Sequence, residues 1–214
     1  MASASITTRY DAAENKTYAA GTLAFDNSDL NLTAAVADTS TLLSGGVSLQ
    51  SIALEKPNSF SINYNVPERD VRFQFIKSCN VLKKPVQLRY LHARAPNYTS
   101  IGSKFELDSA NTVSSKYDFG AGDSKIKYSY SHKGLTMVEP GYNFGTKAWK
   151  LAVSHKFNGD DVVKASYKSD QKVLGVDIVK NSGDQSFKVS ASLNLAEKLT
   201  FPTVHAQSTW NFNI

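Results

Sequence analysis

The stretch Ser59–Val66, Ser-Phe-Ser-Ile-Asn-Tyr-Asn-Val, puts Phe60, Ile62, Tyr64 and Val66 on one side of an extended chain and Ser59, Ser61, Asn63 and Asn65 on the other. Successive side chains of a strand point to opposite faces, so this segment reads as a β-strand with one apolar and one hydrophilic face. The same period recurs in both directions. Leu30, Leu32, Ala34 and Val36 oppose Asn31, Thr33 and Ala35, and Val71, Phe73 and Phe75 oppose Arg72 and Gln74. Further on, Trp149, Leu151, Val153 and Phe157 oppose Lys150, Ala152, Ser154 and Lys156. Phe187, Val189, Ala191, Leu193 and Leu195 likewise oppose Lys188, Ser190, Ser192 and Asn194. The runs are separated by short turn-forming clusters: Asp26-Asn27-Ser28, Gly120-Ala121-Gly122-Asp123, Asn158-Gly159-Asp160-Asp161 and Asn181-Ser182-Gly183-Asp184. Such residues tolerate the backbone conformations of tight hairpins, so an up-and-down meander follows.

Several of these runs approach the roughly 9 to 11 residues that a tilted strand needs to cross a bilayer, whereas strands of soluble proteins cluster near about 5 or 6. The expected fold is all-β: one transmembrane antiparallel up-and-down β-barrel spanning residues 1–214. It should have about 14 strands, within a range of roughly 12 to 16, because Leu42 to Lys56 and Leu135 to Tyr142 interrupt the alternation. The mean hydropathy of −0.31 does not oppose this, since strands alternating apolar and polar residues average to hydrophilic. No apolar run approaches the roughly 18 to 20 residues of a spanning helix, which excludes a helical membrane protein.

Other classes fall away on chemistry. Cys79 is the single cysteine, so no internal disulfide framework exists. His92, His132, His155 and His205 are scattered, without the spacing of a metal site, and no metal or cofactor is expected. Gly120 to Lys125 lacks the spacing of a phosphate-binding loop, and nothing resembles a nucleophile elbow or a paired general acid and base. The reading is therefore not an enzyme. The segment Met1 to Lys16 lacks a secretory apolar core, and its alternation reads as a strand, so no cleaved presequence is expected.

Net charge is +5, and its distribution decides what that charge is for. Strand parity collects Arg9, Arg72, Arg89, Lys104, Lys116, Lys125, Lys127, Lys150, Lys156, Lys164, Lys168 and Lys188 on the polar face, with few acids, chiefly Glu106 and Asp118. A Lys or Arg facing lipid at the midplane costs about 2 to 4 kcal/mol, and a dozen would exceed any domain's net stability. In a membrane barrel that face must line water. The other face carries Tyr10, Tyr64, Tyr90, Tyr117, Tyr128, Tyr130, Trp149 and Trp210, several near strand ends, as an interfacial aromatic girdle requires. A barrel of about 14 strands is too wide to fill itself with side chains and leaves an aqueous channel. Its cationic lining favours anions, though mildly, because salt screens charges beyond about 8 Å. Alternation alone also allows the inverse arrangement: a soluble β-barrel or sandwich that turns its apolar face inward to bind an apolar ligand or a protein surface. In Lys125 to Tyr130 lysine and tyrosine fall on opposite faces, which removes the paired stacking and charge of a nucleic-acid-binding sheet.

Glu55-Lys56-Pro57 with Phe60, Tyr64-Asn65-Val66-Pro67 and Asp70-Val71-Arg72-Phe73-Gln74-Phe75 resemble the small solute-channel family of the plastid outer envelope, the 24 kDa outer envelope pore proteins. Asp108-Ser109-Ala110-Asn111, Lys125-Ile126-Lys127-Tyr128, Gly134-Leu135, Glu139-Pro140, Ala191-Ser192-Leu193-Asn194-Leu195-Ala196 and Thr209-Trp210-Asn211 continue the resemblance along nearly the whole chain. It implies a porin-like, voltage-dependent channel in the outer envelope of a chloroplast, etioplast or amyloplast. The solutes it implies are triose phosphates, phosphate, dicarboxylates, amino acids and nucleotides. The expected partners are thus the lipid bilayer and small anionic and zwitterionic metabolites, not nucleic acid, and a homo-oligomer is compatible with the sequence.

Overall fold

The computed structural model describes residues 2–12, 16–27, 30–38, 47–157, 160–196 and 202–213. Met1, residues 13–15, Ser28, Leu42 to Gly46, Asn158, Gly159 and Ile214, on which parts of the expected turns and terminal strands fall, lie outside the described residues.

Sixteen strands form one closed antiparallel barrel in which every strand pairs with its neighbours in sequence and β1 closes on β16. They are β1 (Ala2–Asp11), β2 (Lys16–Asn27), β3 (Leu30–Asp38), β4 (Val47–Lys56), β5 (Phe60–Asn65), β6 (Asp70–Val81), β7 (Lys84–Ala93), β8 (Tyr98–Glu106), β9 (Asn111–Asp118), β10 (Asp123–His132), β11 (Thr136–Asn143), β12 (Ala148–Lys156), β13 (Val162–Lys168), β14 (Val173–Ser182), β15 (Gln185–Asn194) and β16 (Thr203–Asn213). The barrel class is as expected, and the count sits at the top of the expected range rather than at its centre.

The two stretches that obscured the alternation are both strands, and each has a local reason. In β4 the register with β3 shifts between Ala35 and Val36, because Ala35 pairs with Ser51 while Val36 pairs with Leu49. Gln50 is the extra residue of a bulge, and one extra residue resets which positions face which side. In β11 the ladder with β10 lapses opposite Glu139 and Pro140, between the pairs Lys127–Gly141 and Tyr130–Val138. Proline has no N–H to give to that ladder.

With an even number of strands, β1 begins and β16 ends at the same rim, here called the terminal rim. The far rim carries the β5–β6, β7–β8, β9–β10, β11–β12 and β13–β14 turns. Turn chemistry is local: Asp118 Oδ1 accepts the N–H groups of Gly120 at 3.0 Å and Ala121 at 3.3 Å, closing the β9–β10 loop. At the terminal rim Gly183 supplies the positive φ, 55°, of the β14–β15 hairpin.

Among the described residues there is no compact apolar core. Among the described residues the buried apolar side chains are Val86, Ala93, Ala148 and Ala152, while Phe25, Phe75, Ile178, Phe187 and many other large apolar side chains stay exposed. A barrel so built gains its stability from a closed ladder and from apolar surface turned to lipid.

Candidate functional site: the polar face of the barrel

Paired residues in an antiparallel ladder share a face, so the register can be followed around the ring. Arg9 pairs with Gln207, Gln207 with Lys188, and Lys164 with Asp177, which itself pairs with Ser190. Lys127 pairs with Gly141, Gly141 with Lys150 and Lys150 with Lys168. Lys125 pairs with Lys116, Lys116 with Gly102 and Gly102 with Arg89. Lys104 pairs with Ser114, which pairs with Lys127, and Arg72 pairs with Asn63. Lys156 lies two residues from Ser154, the partner of Lys164. All twelve cations singled out by parity therefore occupy one continuous face. The eight aromatic residues assigned to the opposite face fall there as well. Tyr142 and Tyr167 join them, and Trp149 stacks beside Tyr167 with ring centroids 5.0 Å apart.

The polar face is the concave one. Glu139 on β11 accepts from Lys127 Nζ on β10 at 2.8 Å and stands 3.9 Å from Lys164 Nζ on β13, across the whole width of β12. Side chains two strands apart meet only where they converge, on the inside of a closed ring. Ala152, the β12 residue beneath that ion pair, is correspondingly buried. The inverse arrangement, apolar side inward, is thereby excluded.

The face holds more carboxylates than parity reading found. Besides Glu106 and Asp118 it carries Asp11, Glu55, Asp70, Asp123, Glu139 and Asp177. Most are spoken for. Asp70, fully buried at the far rim, accepts Ala95 N–H at 2.7 Å and Arg72 Nε at 3.2 Å, while Arg72 Nη2 reaches Glu68 at 3.0 Å. Lys104 meets Glu106 at 2.8 Å, Lys125 meets Asp123 at 3.6 Å, and Lys188 meets Asp177 at 3.3 Å. Lys116 lies 5.4 Å from the centroid of Tyr98, a ring on the same inner face. Glu139 and Asp177 escaped notice because their partners lie on other strands: Glu139 precedes Pro140 in an irregular stretch, and Asp177 sits among valines that occupy both faces of β14. The result is a lined wall of paired charge with a modest cationic excess, less one-sided than expected.

The outer face is chemically distinct. Among the strand side chains that are described it carries no acid, and its strand lysines, Lys56, Lys77, Lys84 and Lys180, all stand in the half of the barrel nearer the terminal rim. There a long aliphatic stem lets the ammonium reach the headgroup region. Three of the four histidines also face outward near the rims, His92 bonded to Thr99 Oγ1 at 2.9 Å and His155 to Thr136 Oγ1 at 2.7 Å. His132 is 3.3 Å from the Tyr130 hydroxyl. The fourth, His205, faces inward 3.1 Å from Asp11. Among the described residues no group of three metal-ligating side chains converges.

Comparison with known proteins agrees with this geometry. A family model described as Outer envelope pore protein 24 matches residues 1–213. The chain is 40% identical to Outer envelope pore protein 24B, chloroplastic, of Arabidopsis thaliana, over 99% of its own length and 98% of the relative's. It is 36% identical to Outer envelope pore protein 24, chloroplastic, of Oryza sativa subsp. indica, over 99% of both chains. Among solved structures, a triple mutant of the Rhodopseudomonas blastica porin superposes with a TM-score of 0.61 at 8% identity, covering 99% of this chain and 98% of that one. An outer membrane protein of Acinetobacter baumannii superposes with a TM-score of 0.55 at 13% identity, covering 99% and 97%. These two likenesses concern the fold alone.

Proposed function

The chain belongs to the outer envelope pore protein 24 family, a pore protein of the chloroplast outer envelope and not an enzyme, and from that premise we propose how its barrel conducts. The twelve cations of the inner face, Arg9 through Lys188, line a water-filled path through the ring. A sixteen-stranded barrel is wide enough to keep such a path open. The observation that carries this reading is the continuous register: every one of those cations shares the concave face, and the large apolar side chains lie on the other.

Because carboxylates neutralise much of the lining, the pore discriminates weakly by charge and passes small solutes of either sign. Phosphate, triose phosphates, dicarboxylates, amino acids and nucleotides are the proposed cargo, and opening is proposed to depend on voltage. The binding of these solutes needs no stereospecific pocket; it needs only a polar wall that replaces part of their hydration. Recording from purified, refolded protein in planar bilayers under a salt gradient tests this. Stable conductance steps with a modest reversal potential are expected, and the double substitution Lys125→Gln with Lys127→Gln should move that potential toward cation preference. A silent bilayer overturns the pore reading, and an unmoved potential removes these two lysines from the path.

A further inference from the structure

One part of the wall is built differently from the rest. Across β10, β11, β12 and β13 the register aligns Lys127, Gly141, Lys150 and Lys168 in a single row, with Lys150 directly opposite Lys168. Like charges directly opposed in a ladder are destabilising; Lys116 and Lys125 are opposed in the same way, but there Lys125 has Asp123 at 3.6 Å. Glu139 already engages Lys127 and Lys164. Lys150 and Lys168 have no carboxylate within ion-pair distance among the described residues; Lys168 Nζ reaches only the amide of Gln171, at 3.5 Å. The row also lacks bulk where it would be expected. Gly141, Ala148 and Ala152 leave a recess of about 330 Å³ lined by Lys125, Lys127, Lys150, Lys164 and Lys168 together with the carboxylates of Glu139 and Asp170, five cations against two acids. A Cβ at Gly141 would stand 3.3 Å from the Ile126 carbonyl oxygen, a tight approach, so a larger residue there would have to displace the neighbouring strand slightly.

We propose that this recess is a discrete binding station for a phosphoryl dianion, held by the Lys150 and Lys168 ammonium groups beside the space that Gly141 leaves open. The proposal deepens the pore reading, on which its role in transport rests, although binding at the recess does not itself require conduction. A doubly charged group bridging the two lysines turns their repulsion into two attractions, which a chloride ion does less well. The recess lies at the low end of small-molecule pocket sizes, so it admits a phosphate ester of a few carbons as well as a bare pyrophosphate. Its place near the far rim makes it an entry station on that side of the barrel.

Inorganic pyrophosphate is the probe. Calorimetric titration of the detergent-solubilised, folded protein should show one saturable site. The double variant Lys150→Gln with Lys168→Gln should weaken it at least tenfold. The control Arg9→Gln with Lys156→Gln removes the same net charge from the same face away from the recess and should leave affinity within about twofold. Lys150→Arg with Lys168→Arg, which keeps both charges, should retain binding and shows that loss in the Gln pair is not misfolding. Equal weakening in the Gln pair and the control, or binding that never saturates, means diffuse attraction and overturns the station. In bilayers, pyrophosphate should reduce open-channel current saturably in the wild type and not in the Lys150/Lys168 Gln pair. Calorimetric binding with a silent bilayer would overturn the pore reading while leaving the site standing.

Discussion

Two parts of the same inner wall solve different problems. From β10 to β15 the inward positions carry Lys125, Lys127, Lys150, Lys156, Lys164, Lys168 and Lys188, braced by Asp123, Glu139 and Asp177. From β1 to β5 the described inward side chains are mostly small and neutral: Ser3, Ser5, Thr7, Ala20, Thr22, Ala24, Thr33, Ala35, Ser51, Ala53, Ser61, Asn63 and Asn65, with Arg9, Asp11 and Glu55 as the exceptions. The first wall supplies charge and its local compensation. The second supplies room, because short polar side chains hold water without crowding the lumen. On the proposed pore reading, solute discrimination and openness fall to opposite sides of one ring rather than being averaged over it.

The largest expected effect ignores that division, because lipid sees only the outer face. Val153→Arg on the charged wall and Ile52→Arg on the neutral wall should each cost about 2 to 4 kcal/mol of folding free energy in vesicles, read from urea titrations. One residue away on the inside, the walls should part: Ala53→Arg should cost under about 1 kcal/mol. Ser154→Arg, which faces Lys164 directly across the ladder, should cost more than Ala53→Arg. Equal costs for the two inward variants would dissolve the distinction.

A smaller effect probes the bracing. Glu139→Gln strands Lys127 and Lys164 beside Lys150 and should cost about 1 to 2 kcal/mol, discounted from a buried ion pair because both lysines are partly solvated. Glu55→Gln on the neutral wall, whose carboxylate has no ion-pair partner among the described residues, should stay within about 0.5 kcal/mol. The urea midpoints of the two variants in vesicles check this.

The smallest lies outside both walls, in the β8–β9 turn at the terminal rim. Hydrogen bonds from the Asn111 side chain, and then from the Ala110 N–H, hold the Asp108 carboxyl below its ordinary range. A depressed folded value means stability that is present above the unfolded pKa and lost as pH falls through the folded one. The urea midpoint should therefore drop slightly between neutral pH and pH near 3, and Asp108→Asn should remove that part of the drop.

What was legible in the sequence was whatever a strand writes along itself. Alternation in segments such as Phe60–Asn65 and Trp149 to Lys156 marked the strands, strand length and the family resemblance pointed to the membrane barrel, and parity alone placed twelve cations on one face. What was illegible depends on partners many residues away or on breaks in the period. The bulge at Gln50 reverses parity within β4, and Pro140 mutes a ladder without ending its strand, so the strand count stayed open between about 12 and 16. Glu139 and Asp177 acquire their meaning only from Lys127, Lys164 and Lys188 on other strands. The recess over Gly141 likewise exists only once β10 to β13 lie side by side in register.

The seam has a consequence for how the molecule is made. Thr7 on β1 and Thr209 on β16 share a hydroxyl hydrogen bond of 3.0 Å across a separation of 202 residues. Every other ladder joins strands adjacent in sequence, so this one must wait for the sixteenth strand to be available. Until it does, any partly made sheet carries two open edges that can pair with other chains. Biogenesis of this barrel thus ends with its most distant contact. Its edges need shelter, from a chaperone or from an insertion machine, for as long as the last strand takes to arrive.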